Sequence, residues 1–197
     1  MTVRAGPVGR RPGERGRPPS AGPALVAFAA VALAACTTVP VLAPAAPGET
    51  LSGRMALHVE AFRAEPARAF SAAFDLRGDA RTGVLALSTP LGSTLAQARW
   101  QPARVVLVTP QGSRDFASLD DLTRDVLGEV VPIEAWFDWL QGRPWPGAAS
   151  SPASAEVTQG FRQLGWTVDL GGFADGRVVA VREQPAPAVT VRIRLDD

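Results

Sequence analysis

The sequence predicts an α+β domain, one long antiparallel sheet with two helices on one face, and three observations predict it. Apolar and polar residues alternate with period two from Leu51 to Thr109; the period becomes 3.6 between Ser118 and Gly142; alternation then returns from Trp166 to Leu195. Short turns join the early strands, so neighbours pair antiparallel. Strands, then helices, then strands place the helices together on one side of the sheet. A chain of 197 residues, 46% of them apolar, is long enough for one domain with a real core and an appendage.

The appendage comes first. Five arginines and one glutamate lie among the first twenty residues, followed by an uncharged apolar run of twelve, Ala24 to Ala35. A membrane span needs about 20 residues, so this run fits a secretory signal instead. It ends in Leu33-Ala34-Ala35-Cys36, which resembles the lipobox of bacterial lipoproteins. Small residues let the chain enter a peptidase cleft, and the Cys36 thiol is the nucleophile that takes a diacylglycerol. Residues 1–35 are therefore expected to be a signal peptide, Cys36 the lipid attachment site, 36–50 a flexible tether and 51–197 a single domain. Acyl chains at about 0.8 kcal/mol per buried methylene make a lasting anchor. In such lipoproteins Asp after the Cys commonly marks retention in the inner membrane. Thr37 and Thr38 stand there, which implies the periplasmic face of the outer membrane. The Pro-rich run from Thr37 to Glu49 reads as an extended tether reaching about 40 Å at full stretch.

The strands follow in order. Leu51, Gly53, Met55, Leu57, Val59 and Ala61 share one face of the first; Phe70, Ala72, Phe74 and Leu76 share one face of the second. Gly83, Leu85 and Leu87 lead into Thr89-Pro90-Leu91-Gly92-Ser93, and a fourth strand runs from Leu95 to Trp100. Proline and glycine make residues 89–93 a tight turn. Its tip is Leu91, which either folds back onto a core or meets something apolar outside the protein. Val105 to Thr109 is more continuously apolar, and Pro110-Gln111-Gly112 folds it into a hairpin.

Ser118 with Asp121 predicts a capping box, Leu119, Leu122, Val126 and Leu127 form one stripe, and Gly128 stops the helix. Pro132 opens a second helix, with Ile133, Trp136, Phe137 and Leu140 on its apolar face and Gly142 at its end. Gly147 to Ala155 reads as a featureless, mobile loop of small residues. Trp166-Val168-Leu170, Val178 to Arg182 and Val189 to Leu195 complete the strands.

Several chemistries are excluded. Beyond residue 20 the chain carries 15 basic and 18 acidic side chains, a net −3, so no basic field argues for nucleic acid. One His and one Cys make a metal cluster implausible. His58 lies on a polar strand face and no serine sits in a nucleophile elbow, so no enzyme and no cofactor is expected. Asp120, Asp121 and Asp125 cap a helix and lack calcium-loop spacing. What remains is inward apolar surface: Phe70, Phe74, Leu85, Leu87, Trp100, Trp136, Phe137 and Trp166. Those residues suit either a packed core or the lining of an acyl-chain cavity.

Taken in order, the lipobox, Leu85-Leu87 before Pro90-Leu91-Gly92-Ser93-Thr94, Pro110-Gln111-Gly112, Pro132-Ile133, Trp139-Leu140-Gln141-Gly142-Arg143-Pro144, and Gln159-Gly160-Phe161 through Gly165-Trp166-Thr167-Val168 resemble the LolB family. The resemblance implies an eleven-stranded antiparallel half-barrel, covered by helices, around a hydrophobic cavity. It implies a monomer that takes lipoproteins from the periplasmic carrier LolA and inserts them into the phospholipid of the outer membrane without an energy source. Pro90, Leu91 and Gly92 would then form a membrane-inserting loop, and Arg54, Arg99 and Arg104 are candidate contacts for an acidic carrier surface. A lipid-binding or structural lipoprotein with no carrier partner is the alternative.

Overall fold

Two long strands, β1 (Glu49–Val59) and β2 (Arg68–Gly78), form the backbone of the domain, paired residue for residue from Glu49↔Gly78 to Val59↔Arg68. Their inward residues are those of the period-two pattern: Met55, Leu57, Val59, Phe74 and Leu76 are buried. The computed structural model describes residues 48–153 and 157–196. The expected signal peptide, Cys36 and the tether up to Pro47 lie outside the described residues. β1 begins at Glu49, so the last two residues assigned to the tether, Glu49 and Thr50, are already strand. It ends at Val59, which leaves Ala61 exposed beyond the strand.

β3 (Gly83–Ser88), β4 (Thr94–Gln101), β5 (Arg104–Thr109) and β6 (Gly112–Phe116) continue the meander outward from β2. After the helices come β7 (Ser150–Pro152), β8 (Gly160–Gln163), β9 (Trp166–Asp169), β10 (Arg177–Arg182) and β11 (Val189–Leu195). β11 pairs with β1, giving one 11-stranded sheet of order β6-β5-β4-β3-β2-β1-β11-β10-β9-β8-β7. Every neighbouring pair is antiparallel. β6 and β7 are its two edges, so the sheet is open rather than a closed barrel.

Helix α1 (Leu119–Leu127) starts at Ser118, whose hydroxyl accepts from the Asp121 N–H at 3.0 Å and donates to the Asp121 carboxylate at 2.7 Å. Its stop is Gly128, at φ 76°, a conformation that costs glycine nothing. α2 (Ile133–Trp139) follows Pro132, which sits at the cap rather than in the first turn. Five of its residues and its C-cap are apolar and buried: Ile133, Ala135, Trp136, Phe137, Trp139 and Leu140.

The described part of the loop of small residues, 147–153, is more structured than its composition suggests, and 154 and 155 lie outside the described residues. Ser150–Pro152 forms β7 against β8, with Ser150 opposite Gln163 and Pro152 opposite Phe161. A proline is tolerated there because β7 is an edge strand. The neighbouring chain is fixed by Gln163, whose side-chain amide donates to the carbonyls of Trp145 and Ala148, each at 2.7 Å. Such pairing uses backbone groups, which small side chains do not advertise.

Candidate functional site

α2 divides the space over the sheet in two. Towards β8 and β9 the packing is dense: Trp139 meets Phe161 at 6.3 Å and Trp166 at 6.4 Å between ring centroids. The Trp139 indole N–H donates to the Gln163 Oε1 at 2.8 Å, and Gln163, buried, satisfies both ends of its amide in this way. On the other side, over β1 to β5, α1 does not descend fully onto the sheet. A cavity of about 400 Å3 remains beneath it.

Its floor is made by Met55 and Leu57 of β1, Phe70 of β2, Leu85 and Leu87 of β3, Ala96 and Ala98 of β4 and Leu107 of β5. Its roof is Leu122, Val126 and Leu127 of α1, with Val131, Ile133 and Trp136. The polar wall residues are Arg68, Thr109 and Thr123, and Thr123 is satisfied: its hydroxyl donates to the Asp120 carbonyl and accepts from the Val131 N–H, both at 3.2 Å. Leu85 and Leu87 of β3 stand opposite small residues, Ala98 and Ala96, of β4. The hollow therefore comes from a mismatch of volumes, and an apolar hollow of this kind binds apolar matter.

Of the aromatic and aliphatic candidates read from the sequence, Phe70, Leu85, Leu87 and Trp136 are on this wall. Phe74, Trp100, Phe137 and Trp166 are buried but not on it. Trp100 packs edge-to-face on Phe137 at 6.1 Å and donates its N–H to the Asp79 carbonyl at 3.1 Å. Trp166 lies with Trp139 on the far side of α2. Phe74 is in the same inner layer, at full burial and opposite Leu87. Their inward phase is as the pattern requires; the helix they meet decides whether they pack or line.

The cavity reaches the end of the strands where β1 turns into β2 and β3 into β4. There Arg68, Ala69 and Val126 are exposed, and β2 residues Arg68 to Ala72 extend beyond the last β3 pair, Ala73↔Ser88. Beside this mouth stands the 89–93 turn. The Thr89 N–H donates to the Ser93 carbonyl and the Gly92 N–H to the Thr89 carbonyl, both at 2.9 Å; the Ser93 N–H donates to the Thr89 hydroxyl at 3.1 Å. Gly92 adopts φ 84°, which turns the chain and leaves Leu91 95% exposed. Leu91 therefore does not fold back onto the core.

The linker between the helices is held from below. Arg182, itself buried, pairs with Glu129 at 2.5 Å and donates to the Val130 carbonyl at 3.4 Å, tying β10 to residues 129–130. Glu134, in the first turn of α2, is half-buried, and desolvation, with the charge of Asp120 adding to it, pushes its carboxyl above the usual glutamate range. A raised folded value means that folding favours the protonated form, so ionised Glu134 costs stability once the pH rises past the unfolded value. Glu134→Gln is accordingly expected to melt higher than the parent at pH 7, with the difference closing as the pH falls towards 4, measured by thermal unfolding across that range.

On the outer face, Arg54 stands directly opposite Arg194, and Arg194 opposite Arg177, whose guanidinium pairs with Asp175 at 2.7 Å. Like charges in register are destabilising in a free sheet. Arg99 and Arg104 share this face; Arg99 donates to Gln97 and Arg104 pairs with Asp115 at 2.9 Å. His58 lies between Thr190 and Ala69 with no catalytic neighbour. Among the described residues no group of three or more His, Cys, Asp or Glu is placed to hold a metal, and no helix is long and apolar enough to cross a membrane.

Comparison with known proteins gives consistent matches. Residues 50–196 match the family model described as outer membrane lipoprotein LolB. The chain is 33% identical over 171 residues to the outer-membrane lipoprotein LolB of Bordetella pertussis, covering 83% of this chain and 85% of the relative. It is 32% identical over 172 residues to the protein of the same name from Bordetella petrii, covering 82% and 85%. Against that of Thiobacillus denitrificans it is 32% identical over 166 residues, covering 78% and 85%.

Proposed function

The chain belongs to the LolB family of outer-membrane lipoproteins, and we propose that its cavity accepts lipoprotein acyl chains from the carrier LolA and passes them to the outer membrane. Members of this family handle lipoproteins and are not enzymes, and a handover of this kind makes and breaks no covalent bond. The observation that carries the proposal is the apolar cavity of about 400 Å3 whose mouth adjoins an almost fully exposed leucine. Lipidation at Cys36 behind a signal peptide, with residues 37–48 as a tether, would keep the domain on the periplasmic face of that membrane.

The volume sets how the cargo is held. With a methylene taken as the ~30 Å3 that a water occupies in the liquid, the cavity of about 400 Å3 has room for about 13 methylenes, one acyl chain. At about 0.8 kcal/mol per methylene, sheltering that chain from water is worth about 10 kcal/mol. A triacylated cargo therefore enters chain by chain or with α1 lifted from the sheet. No energy source is required if each site binds more tightly than the one before, and each tenfold step needs only about 1.4 kcal/mol. A lipid holder with no carrier partner is the second reading. Arg54 and Arg194 on the outer face, opposite one another and in no salt bridge among the described residues, favour the first, because aligned cations gain from an acidic partner.

Filling the cavity tests the proposal. Ala96→Phe adds a ring where Ala96 faces open volume on the wall. The variant is expected to melt at or above the parent's temperature and to lose most binding of an acylated protein, measured by retention of labelled lipoprotein on gel filtration. Undiminished retention would mean that the acyl chains go elsewhere.

A further inference from the structure

The antiparallel order puts the β1–β2, β3–β4 and β8–β9 connections at one end of the sheet, the end where the cavity opens. Three of the large apolar side chains that the described residues leave exposed stand on these connections: Phe62, Leu91 and Leu164. At the opposite end, between β9 and β10, Phe173 is as exposed as Phe62. Leu164 is the least expected of them. With Gly165 it forms the whole two-residue turn between β8 and β9, at φ 52° and 79°. Positive φ at both central residues suits Asn-Gly, and a bulky side chain there is an outlier. The leucine gains little burial in return, being 44% exposed. A disfavoured backbone with so small a local gain points to a use outside the domain. Phe62 is fixed by two backbone hydrogen bonds with Glu65, at 3.1 and 3.0 Å, and neither uses the ring. The Arg63 guanidinium lies over that ring, 5.0 Å from its centroid.

Building on the acyl-chain reading, we propose that Phe62 and Leu164 are bilayer contacts beside Leu91, so that the domain stands mouth-down on the phospholipid surface on three turn tips. Side chains on separate tips suit a fluid that closes around each one, and every tip adds apolar burial to the contact. Arg63 keeps its cation among the headgroups while the Phe62 ring beneath it enters the apolar layer. Attraction to anionic lipid is not the source of the contact. Arg63 and Arg68 at this end are balanced by Glu60, Glu65 and Glu183, and none of the five is in a salt bridge among the described residues. The point of attachment agrees with this orientation. β1 begins at Glu49, opposite Gly78, at the end away from the mouth, and its 11 residues rise about 35 Å. A tether reaching about 40 Å from Cys36 is long enough to follow the domain down that height, so the bilayer that holds Cys36 is also within reach of the mouth.

The test places the mature protein, lipidated at Cys36, in liposomes of equal parts phosphatidylethanolamine and phosphatidylglycerol whose acyl chains carry bromine. Acylation consumes the single native thiol, so Phe62→Cys, Leu91→Cys, Leu164→Cys and Phe173→Cys each take one fluorescent dye. Dyes at the Phe62, Leu91 and Leu164 positions are expected to be quenched at least about twofold, and the dye at Phe173 to keep its full emission. Leu164→Asn, which suits the turn, is expected to melt at or above the parent's temperature and to deliver cargo to liposomes about threefold more slowly. A dye at Phe62 or Leu164 that stays bright while the one at Leu91 is quenched overturns the proposal for that tip. Equal quenching at Phe173 overturns the mouth-down orientation. A dye at Leu164 that responds to loaded LolA and not to liposomes makes this end a carrier surface and overturns the proposal. Delivery by Leu164→Asn at the parent's rate removes Leu164 from the contact. Retention of labelled lipoprotein by the parent is measured alongside: its absence overturns the acyl-chain reading, while retention without quenching overturns the bilayer contacts alone.

Discussion

Leu91→Glu is expected to fold and to bind cargo like the parent while delivering it to membranes at least about tenfold less efficiently. The side chain is 95% exposed and the turn that carries it is closed by backbone hydrogen bonds and the Thr89 hydroxyl, none of which involves the leucine side chain. Surface substitutions of this kind usually change stability by no more than about 0.5 kcal/mol. Burying one leucine in an apolar phase is worth about 1.5–3 kcal/mol, which is roughly 10- to 100-fold in an equilibrium, and a carboxylate replaces that gain with a desolvation cost. The leucine is far too small to anchor the protein; its position beside the cavity mouth suits it to bring that mouth against the bilayer. Thermal melting, cargo binding and transfer to liposomes, measured on the same preparation, separate the three effects. A variant that fails to bind cargo would place Leu91 in receipt rather than delivery.

Gln163→Leu is expected to produce the largest loss of stability, about 3 kcal/mol or more. The change keeps size and removes the amide that serves four partners: the Trp139 indole N–H, the Trp145 N–H, and the carbonyls of Trp145 and Ala148. A buried polar group left without its partner costs about 1–3 kcal/mol. For a domain of this size each kcal/mol is worth roughly 2–4 °C, so the melting temperature should fall by about 6–12 °C in circular dichroism. Because the network lies on the β8–β9 side of α2, acyl-chain binding below the new transition should survive. A drop of under 2 °C would mean that the network is dispensable.

Much of the architecture was legible because local rules agreed with the fold. Ser118 and Gly128 bound α1 as their cap chemistry requires, and the period-two runs became strands with the expected faces inward. β7 was not legible, since Ser150 to Pro152 carries no apolar alternation and is ordered by backbone pairing and by the distant Gln163. Gln163 and Trp139 were also missed as a pair. The available signal was a polar residue at an inward position, two after Phe161, and a second tryptophan one turn beyond Trp136. The strand count and the cavity came from the family resemblance, not from periodicity. An inward Phe74 or Trp100 looks the same in sequence as an inward Phe70; which of them lines a void depends on where α2 crosses the sheet. Arg68 was likewise invisible as a mouth residue, because its place depends on where α1 and the residues after it lie over the first position of β2.

Transfer from the carrier is the step on which the proposed handover stands. Purified LolA loaded with a labelled lipoprotein is mixed with the mature protein without any nucleotide, the two are separated, and the label on each is counted before and after liposomes are added. Label is expected to move from carrier to this protein and then to the liposomes, with Ala96→Phe stopping the first step and Leu91→Glu slowing only the second. Label that stays on the carrier with the parent protein, or that reaches liposomes equally well without it, would mean that this protein does not carry out the handover.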